Sequence, residues 1–257
     1  MRFVTRKSAR ELATMRRAGR VVAEVLALVE SALRPGVTPA DLDEIAERHI
    51  RASGGVPSFK GYRIDRSSPP FPGSICVSID HEVVHGLPDR TSPLTAGSLV
   101  SIDAGAIVDG YHGDAARTFF VGEAPAEVAA LIETTRAALH AGIAAAQPGA
   151  RIRDISGAVE DVAVAGGYGI VRECVGHGIG TAMHEPPDVP NYRTRSAGMR
   201  LEPGHTLAIE PMLTLGDPSV GILEDGWTIV TRDGSLACHF EDTVAVTPSG
   251  PEVLTAP

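Results

Sequence analysis

The chain has 257 residues, a net charge of -9 and a hydrophobic fraction of 43%. This length accommodates one or two domains, and the ordinary apolar content excludes a disordered or fibrous protein. The negative charge argues against a protein that mainly binds nucleic acid. Cys76, Cys174 and Cys238 are far apart and form no Cys-x-x-Cys pair, so neither a disulfide framework nor a zinc knuckle is indicated.

The start of the chain carries no signal-peptide pattern, and no apolar run in the sequence is long enough to cross a membrane. We therefore expect a cytoplasmic protein without membrane contact. Basic residues are nevertheless concentrated near the start, at Arg2, Arg6, Lys7, Arg10, Arg16, Arg17 and Arg20. A solvated helix face explains them, and a transient ribosome contact is the alternative.

Two pairs of helices are predicted. Apolar residues at steps of three and four predict the first helix over residues 9–33, and Ser8 with Glu11 forms its capping box. The second helix begins at Pro39 and ends before Gly54, because proline favours a first turn and glycine a stop. The third helix follows Pro125, and the fourth spans residues 152–165.

The two helix pairs resemble copies of one unit. Six residues recur with a shift of 113 positions, so that Pro35, Gly36, Asp41, Glu47, Ala52 and Gly54 match Pro148, Gly149, Asp154, Glu160, Ala165 and Gly167. Chance is the alternative, because Pro-Gly is common between helices. No long linker separates the copies, and we therefore predict a single domain over residues 1–257, with pseudo-symmetric halves at about 1–123 and 124–257.

Two carboxylates are predicted to be neighbours on a β-hairpin. Apolar runs predict strands over residues 75–79, 99–108 and 111–121. Asp109-Gly110 is typical of the type I′ turn that joins the last two strands. In that register Asp103 lies opposite Ala116, so Asp103 and Asp114 are diagonal neighbours within roughly 7 Å. A shared divalent metal would relieve their repulsion, and one exposed and one turn-bonded aspartate is the alternative.

Further histidines and glutamates interrupt apolar or glycine-rich segments. His177 lies in a glycine-rich run and His184 follows seven residues later, a weak indication of a site. Glu210 interrupts an apolar run predicted as one strand, where a buried glutamate needs a charged partner or a metal. Taken alone, Glu241 is interpreted as an exposed acid at the start of the last strand, and His85 as a core or turn histidine.

Seven motifs together carry a resemblance to one enzyme family. In chain order they are Glu82-Val-Val-His85-Gly-Leu-Pro88, Ser101-Ile-Asp103, Gly110-Tyr-His-Gly-Asp114, Gly176-His-Gly-Ile-Gly180, His184-Glu-Pro186, Ile209-Glu-Pro-Met212 and Phe240-Glu241-Asp-Thr. Over nearly the whole chain they look like the motifs of type I methionine aminopeptidase. The resemblance implies the pita-bread fold, an α+β fold in which two pseudo-symmetric halves with a curved antiparallel sheet surround a dinuclear metal site.

The resemblance also implies residue roles. The implied metal ligands are Asp103, Asp114, His177, Glu210 and Glu241, with Asp114 and Glu241 bridging two divalent ions. This donor set suits Co²⁺, Mn²⁺, Fe²⁺ or Zn²⁺ without selecting one. The implied reaction removes the initiator methionine from a nascent chain with a small second residue, by attack of a hydroxide that bridges the metals. Glu210 would relay the proton, His184 would hydrogen-bond the scissile carbonyl oxygen, and His85 would contact the scissile amide nitrogen.

The same resemblance places a pocket around the methionine side chain, formed by Phe71, Cys76, Met183 and Trp227. All four are apolar or soft, which suits a thioether. Departures from the family pattern occur at His81, Met183, His239 and Asp242. None of them removes an implied ligand, so they affect the expected substrate preference and metal tuning rather than the reaction.

Two other functions were weighed against this one. A proline-directed metallopeptidase of the same fold would usually carry an extra N-terminal domain, and this chain begins directly with the helices of the fold. Type II methionine aminopeptidases carry an insertion where only 25 residues separate His184 from Glu210 here. A non-catalytic pita-bread module that binds peptides or proteins would typically lack some ligands. The predicted partner is the N-terminal methionine of nascent chains, and a monomer without specific nucleic-acid binding is expected.

Overall fold

A computed structural model describes residues 4–65 and 68–256 of the chain. In these ranges the helices are α1 (Ala9–Ala32), α2 (Pro39–Ala52), α3 (Ala126–Ala145) and α4 (Ile152–Gly166). The strands in the same ranges are β1 (Val56–Pro57), β2 (Ile75–Ile79), β3 (Glu82–Val84), β4 (Leu99–Val108), β5 (Tyr111–Phe120), β6 (Gly169–Ile170), β7 (Gly176–Gly178), β8 (Glu185–Val189), β9 (Thr206–Ile209), β10 (Met212–Thr214), β11 (Val220–Ile222), β12 (Ile229–Thr231), β13 (Ala237–His239), β14 (Glu241–Thr247) and β15 (Gly250–Val253).

The four predicted helices are confirmed, with ends that differ by only a residue or two. Ser8 and Glu11 form the predicted capping box of α1, so two backbone N–H groups of the first turn are satisfied by side chains. Thr38 and Asp41 form a second capping box before α2, with Pro39 in the first turn. Gly167 ends α4 in the left-handed region at φ 78°, a conformation that glycine adopts without strain.

The helix repeat predicted from the sequence is present in the structure. The first residues of α2 and α4 are 113 positions apart, and Gly36 and Gly149 before them have nearly equal φ angles of 94° and 92°. The first pair packs with β2, β4 and β5 around one apolar core, and the second pair packs with β9, β10 and β14 around another. The division of the chain into a single domain with two halves stays a prediction.

The largest sheet joins strands from both halves. Its order is β1-β4-β5-β14-β9-β7-β8, while β2 pairs with β4 and β15 pairs with β14. The seam is the antiparallel pair β5–β14, in which Glu241 lies opposite Ala116. Two small sheets, β13-β10-β6 and β11-β12-β3, complete the fold. No helix within the described ranges is long and apolar enough to span a membrane.

The β4–β5 hairpin has the predicted register. Val108 pairs with Tyr111 and Asp103 pairs with Ala116, and the turn residues Asp109 and Gly110 both have positive φ, at 47° and 82°. Positive φ at both central positions defines the type I′ turn, which matches the right-handed twist of the strands. The predicted register of Asp103 and Asp114 on the hairpin is thus confirmed.

Three local predictions are wrong. Glu210 does not lie within one continuous strand, because β9 ends at Ile209 and β10 begins at Met212 in a different sheet. Glu241 is buried rather than exposed, and its strand is followed by β15. The reason is that β14 pairs with both β5 and β9, so its first residue lies inside the sheet and not at an edge.

Candidate metal centre and peptide site

Of the five residues predicted as metal ligands, four lie on strands and the fifth directly follows one. Asp103 is on β4, Asp114 on β5, Glu241 on β14 and His177 on β7, and Glu210 directly follows β9. The order β4-β5-β14-β9-β7 is the central run of the large sheet. Each strand therefore contributes one side chain, and the site crosses the seam between the two halves.

These side chains converge to within a few ångströms. His177 Nε2 lies 3.9 Å from Asp114 Oδ2 and 3.6 Å from Glu210 Oε1. One side-chain atom each of Asp114, His177 and Glu241 lies within 4.8 Å of the other two, and Asp103 shares a hydrogen bond with Asp114. Separations of this order suit side chains that share metal ions rather than direct ion pairs.

The carboxylate oxygens of this cluster are buried without adequate partners. Asp103 Oδ1, Asp114 Oδ1 and Glu241 Oε1 are inaccessible to solvent and accept no hydrogen bond. Burial raises the pKa of Asp103 to about 7, and burial together with the neighbouring carboxylates raises the pKa of Asp114 and Glu241 well above the usual range. Buried, mutually repelling acids with free lone pairs fit a divalent metal centre.

His177 presents the nitrogen that a metal ligand needs. Its Nδ1 lies 2.9 Å from the carbonyl oxygen of Gly178, which can only accept, so Nδ1 carries the proton. The Nε2 lone pair therefore points towards the carboxylates. Burial, with His184 nearby, lowers the pKa of His177 to about 3, so the ring is neutral at physiological pH.

Two further residues at the centre were not predicted. His239 Nε2 is fully buried without a hydrogen-bond partner, and it lies 3.8 Å from Glu210 Oε2 and 3.9 Å from Glu241 Oε2. Asn191 donates from Nδ2 to the backbone oxygen of Glu210 at 3.0 Å and so holds the segment after β9. His239 was visible in the sequence as a departure from the family pattern. Asn191 is the only asparagine of the chain, but no motif around it pointed to the centre.

The other two candidate histidines lie beside this centre. The ring of His184 is 4.3 Å from the ring of His177, and its Nδ1 is hydrogen-bonded to the Tyr62 hydroxyl at 2.8 Å. His85 has a positive φ of 61° and contacts Trp227 edge to face. Burial lowers the pKa of His85 to about 4, and burial also lowers the pKa of His184, so both rings are neutral.

A cavity of about 310 Å³ opens directly above the carboxylates. The predicted pocket residues Phe71, Cys76, Met183 and Trp227 all line it. Phe59, Tyr62 and Ile64 also line it and were not predicted. Aromatic residues in a loop rich in glycine and proline are equally typical of ordinary core packing, so the sequence alone gave no reason to single them out.

The basic start of the chain is largely engaged in ion pairs within the protein. The pairs are Arg6 with Glu202, Lys7 with Glu185, Arg16 with Glu252 and Arg17 with Asp109. Arg2 lies outside the described residues. The predicted solvated helix face is thus only part of the explanation, because the Lys7 side chain is buried.

Comparison with known proteins shows the family. Residues 13–248 match the model of metallopeptidase family M24. A methionine aminopeptidase of Clostridium acetobutylicum is 48% identical over 249 residues, which cover 97% of each chain. The solved structure of methionine aminopeptidase from Rickettsia prowazekii has a TM-score of 0.94 at 35% identity, over 99% of this chain and 100% of that one. The chain belongs to metallopeptidase family M24.

These findings confirm the predicted family, the pita-bread fold and a metal-dependent aminopeptidase. The proline-directed alternative has only the fold in common. The prolidase from Pyrococcus furiosus has a TM-score of 0.77 at 20% identity, over 98% of this chain and only 65% of the prolidase. The roles of the individual site residues stay a prediction.

Proposed function

We propose that this protein removes the N-terminal methionine from nascent polypeptides whose second residue is small. The observation that carries the proposal is the cluster of four carboxylates and one imidazole on or directly after five adjacent strands, at the floor of an apolar cavity. Full-length relatives that are named methionine aminopeptidases support the same reaction.

The metal-binding residues in this proposal are Asp103, Asp114, His177, Glu210 and Glu241, with Asp114 and Glu241 shared between two ions. Four ionised carboxylates balance the charge of two divalent cations, which supports two ions rather than one. Bound divalent metal supplies Lewis-acid activation of the attacking water and of the scissile carbonyl. Co²⁺, Mn²⁺, Fe²⁺ and Zn²⁺ all suit the mixed oxygen and nitrogen donors.

Glu210 is the proposed proton carrier. In the metal-free protein, burial with Asp103 nearby raises the pKa of its carboxyl, and the carboxyl lies at the cavity where it could take a proton from the attacking water. The backbone of Glu210 is held by Asn191, which keeps the carboxyl facing His177 on one side and His239 on the other. The proton would then pass to the amine that leaves.

His184 and His85 are the proposed substrate contacts. When the Tyr62 hydroxyl donates to His184 Nδ1, the proton of the neutral ring is on Nε2, which can donate to the scissile carbonyl oxygen as negative charge develops there. His85, held at the cavity wall against Trp227, would contact the scissile amide nitrogen. Each ring is neutral, so neither adds a positive charge that would oppose metal binding.

The cavity is the proposed site for the methionine side chain. Phe71, Cys76, Met183 and Trp227 form one apolar cluster with Phe59, and the Phe71 and Trp227 rings meet edge to face at 5.2 Å. Polarisable and aromatic walls favour a thioether over a charged side chain. Action on nascent chains fits a cytoplasmic enzyme, and the three unpaired cysteines suit a reducing compartment. A monomer is part of the same proposal.

Peptide cleavage with a panel of metals tests the proposal. Peptides that begin Met-Ala, Met-Lys, Leu-Ala and Ala-Pro should be assayed after chelation and after addition of each metal. We expect release of methionine from Met-Ala, no activity after chelation and little cleavage of Met-Lys. Preferential cleavage before proline, or full activity in metal-free protein, would overturn the proposal.

Two histidine variants test the residue roles. His184→Ala should keep two metal ions per chain and lose about 10²–10³ in kcat, because it removes a donor to the developing oxyanion. His177→Ala should lose metal, because an imidazole ligand disappears while the carboxylates remain. Metal content and turnover measured on both variants decide the assignment, and loss of metal from His184→Ala would contradict it.

A further inference from the structure

Lys7 is an unusual residue in this protein. The chain has 23 basic residues, and Lys7 and Lys60 are the only lysines among them. The Lys7 side chain is 5% exposed, whereas the Lys60 side chain is 42% exposed in an ion pair with Glu47. Lysine is almost never buried without a partner, so the surroundings of Lys7 require an explanation.

The Lys7 ammonium group joins the start of the chain to the segment after His184. Its Nζ lies 2.7 Å from Glu185 Oε2 and 2.7 Å from Thr5 Oγ1. The Glu185 side chain is 11% exposed, so this ion pair is buried on both sides. The Lys7 backbone N–H donates to the Gly204 oxygen at 2.7 Å, which fixes the position from which the side chain reaches across.

The second carboxylate oxygen of Glu185 closes the loop of residues 180–185. Glu185 Oε1 accepts from the Ala182 backbone N–H at 3.2 Å and from Thr181 Oγ1 at 3.4 Å. Between these contacts the loop carries Met183 and His184, which face the cavity. One carboxylate therefore binds the first half of the loop with one oxygen and Lys7 with the other.

The fit around Lys7 is close. A Cβ atom on Gly180 would stand 2.6 Å from Lys7 Cε and 2.7 Å from Lys7 Nζ, so the loop backbone lies directly against the end of the lysine side chain. A guanidinium group is planar and broader than an ammonium group, so an arginine at this position would need more space beside the loop backbone. The site therefore favours lysine in a chain that otherwise uses arginine almost throughout.

We infer that Lys7 is a positioning residue for His184, acting through Glu185. This inference rests on the proposed role of His184. Lys7 neutralises the buried Glu185 carboxylate, and the neutralised carboxylate holds the loop in the conformation that aims His184 at the substrate. Without the ammonium group, the Glu185 carboxylate is a buried charge without its counter-ion. Its free energy is then lower when the side chain turns outward and the carboxylate is hydrated. That movement breaks its bonds to Thr181 and Ala182.

Lys7→Met tests the inference, with Lys60→Met as the matched control. Lys7→Met should retain the metal content of the wild type and lose about 10- to 100-fold in kcat on a Met-Ala peptide, because a displacement of about 1 Å of a catalytic group is enough for such a loss. KM should change less than kcat, since the methionine pocket stays formed. Lys60→Met should match the wild type in all three.

Hydrogen exchange measures how well the backbone of the loop is ordered, and it does not depend on catalysis. Backbone hydrogen exchange in a peptide spanning residues 180–186 should be at least 10-fold faster in Lys7→Met than in the wild type, and unchanged in Lys60→Met. The double variant Lys7→Met, Glu185→Gln removes both charges, keeps an oxygen to accept from Ala182, and should recover most of the lost kcat.

Three outcomes overturn the inference. They are wild-type kcat in Lys7→Met, unchanged exchange of the loop, and loss of metal together with activity in that variant. Failure of the proposed function gives a different result. In that case the wild-type protein releases no methionine, and there is no kcat against which the His184→Ala variant could be measured.

Discussion

The stability of the metal-free protein should fall as the pH rises from 7 to 9. In the folded chain, burial raises the pKa of Asp103 to about 7 and the pKa values of Asp114, Glu210 and Glu241 well above the usual range. In the unfolded chain the same groups have pKa values near 4 and are fully ionised throughout this window. The folded state therefore binds more protons than the unfolded state.

The sign follows from proton linkage. When the folded state holds more protons, the free energy of unfolding falls as the pH rises. Buried histidines act in the opposite direction, because burial lowers the pKa values of His85, His177 and His239 to about 3 or 4. Unfolded histidines are half protonated at pH 6.5 and largely neutral above pH 7, so these groups contribute mainly below pH 7 and the carboxyl groups dominate above it.

The size of the effect can be stated per proton. Each proton that the folded cluster retains and the unfolded chain has lost lowers the free energy of unfolding by about 1.4 kcal/mol per pH unit. Over the two units of this window one retained proton therefore corresponds to about 3 kcal/mol. In a protein of this size that is a change of roughly 6–12 °C in melting temperature.

Urea unfolding of chelator-treated protein at pH 7, 8 and 9 measures this slope. Metal-saturated protein should lack the decline, because metal displaces the shared protons and binds more tightly as they leave. Asp103→Asn removes one of the titrating groups and should reduce the slope without changing the fold. Metal-free protein that becomes more stable from pH 7 to 9 would refute the picture of a protonated carboxylate cluster.

Substitutions of Tyr62 and His239 test two residues near the centre, each with a control variant. Tyr62→Phe should lower kcat about 5- to 10-fold at nearly constant KM, because it removes one hydrogen bond of about 1 kcal/mol to the reacting His184. The control is Tyr111→Phe, which should keep wild-type kinetics because the Tyr111 hydroxyl bonds Glu11 and not a site residue. His239→Phe should weaken metal binding about 10- to 100-fold in calorimetric titration, whereas His239→Gln, which retains a polar group, should stay within a few-fold of the wild type. Equal metal affinity in the two variants would show that His239 does not contribute to metal binding.

The parts of the fold that local sequence signals control were predictable. Asp109-Gly110 fixes a two-residue turn, and counting back from it places Asp103 opposite Ala116, as the structure shows. The capping residue Ser8 likewise marks the start of α1. In both cases the information lies within a few residues of the feature, so neither tertiary contacts nor relatives were needed.

Features that depend on pairing between distant strands were not predictable from local signals. Glu241 was read as an exposed strand-end acid because the sequence gives no sign that β14 is enclosed by β5 and β9. Asp242, next to it, pairs instead with Arg117 and Thr255, because successive side chains of a strand face opposite ways. Only the motif resemblance placed Glu241 with the other ligands.

The position of the metal centre at the seam has a consequence for folding. Asp103 and Asp114 reach Glu241 only when β5 pairs with β14, two strands more than 120 residues apart in the sequence. The ligand set is therefore complete only after both halves have joined, and the unfolded chain offers no comparable site. Metal then binds the native state alone, which stabilises it by mass action. The same carboxylates that should weaken the metal-free seam at alkaline pH would thus hold the two halves together if they share a cation as proposed.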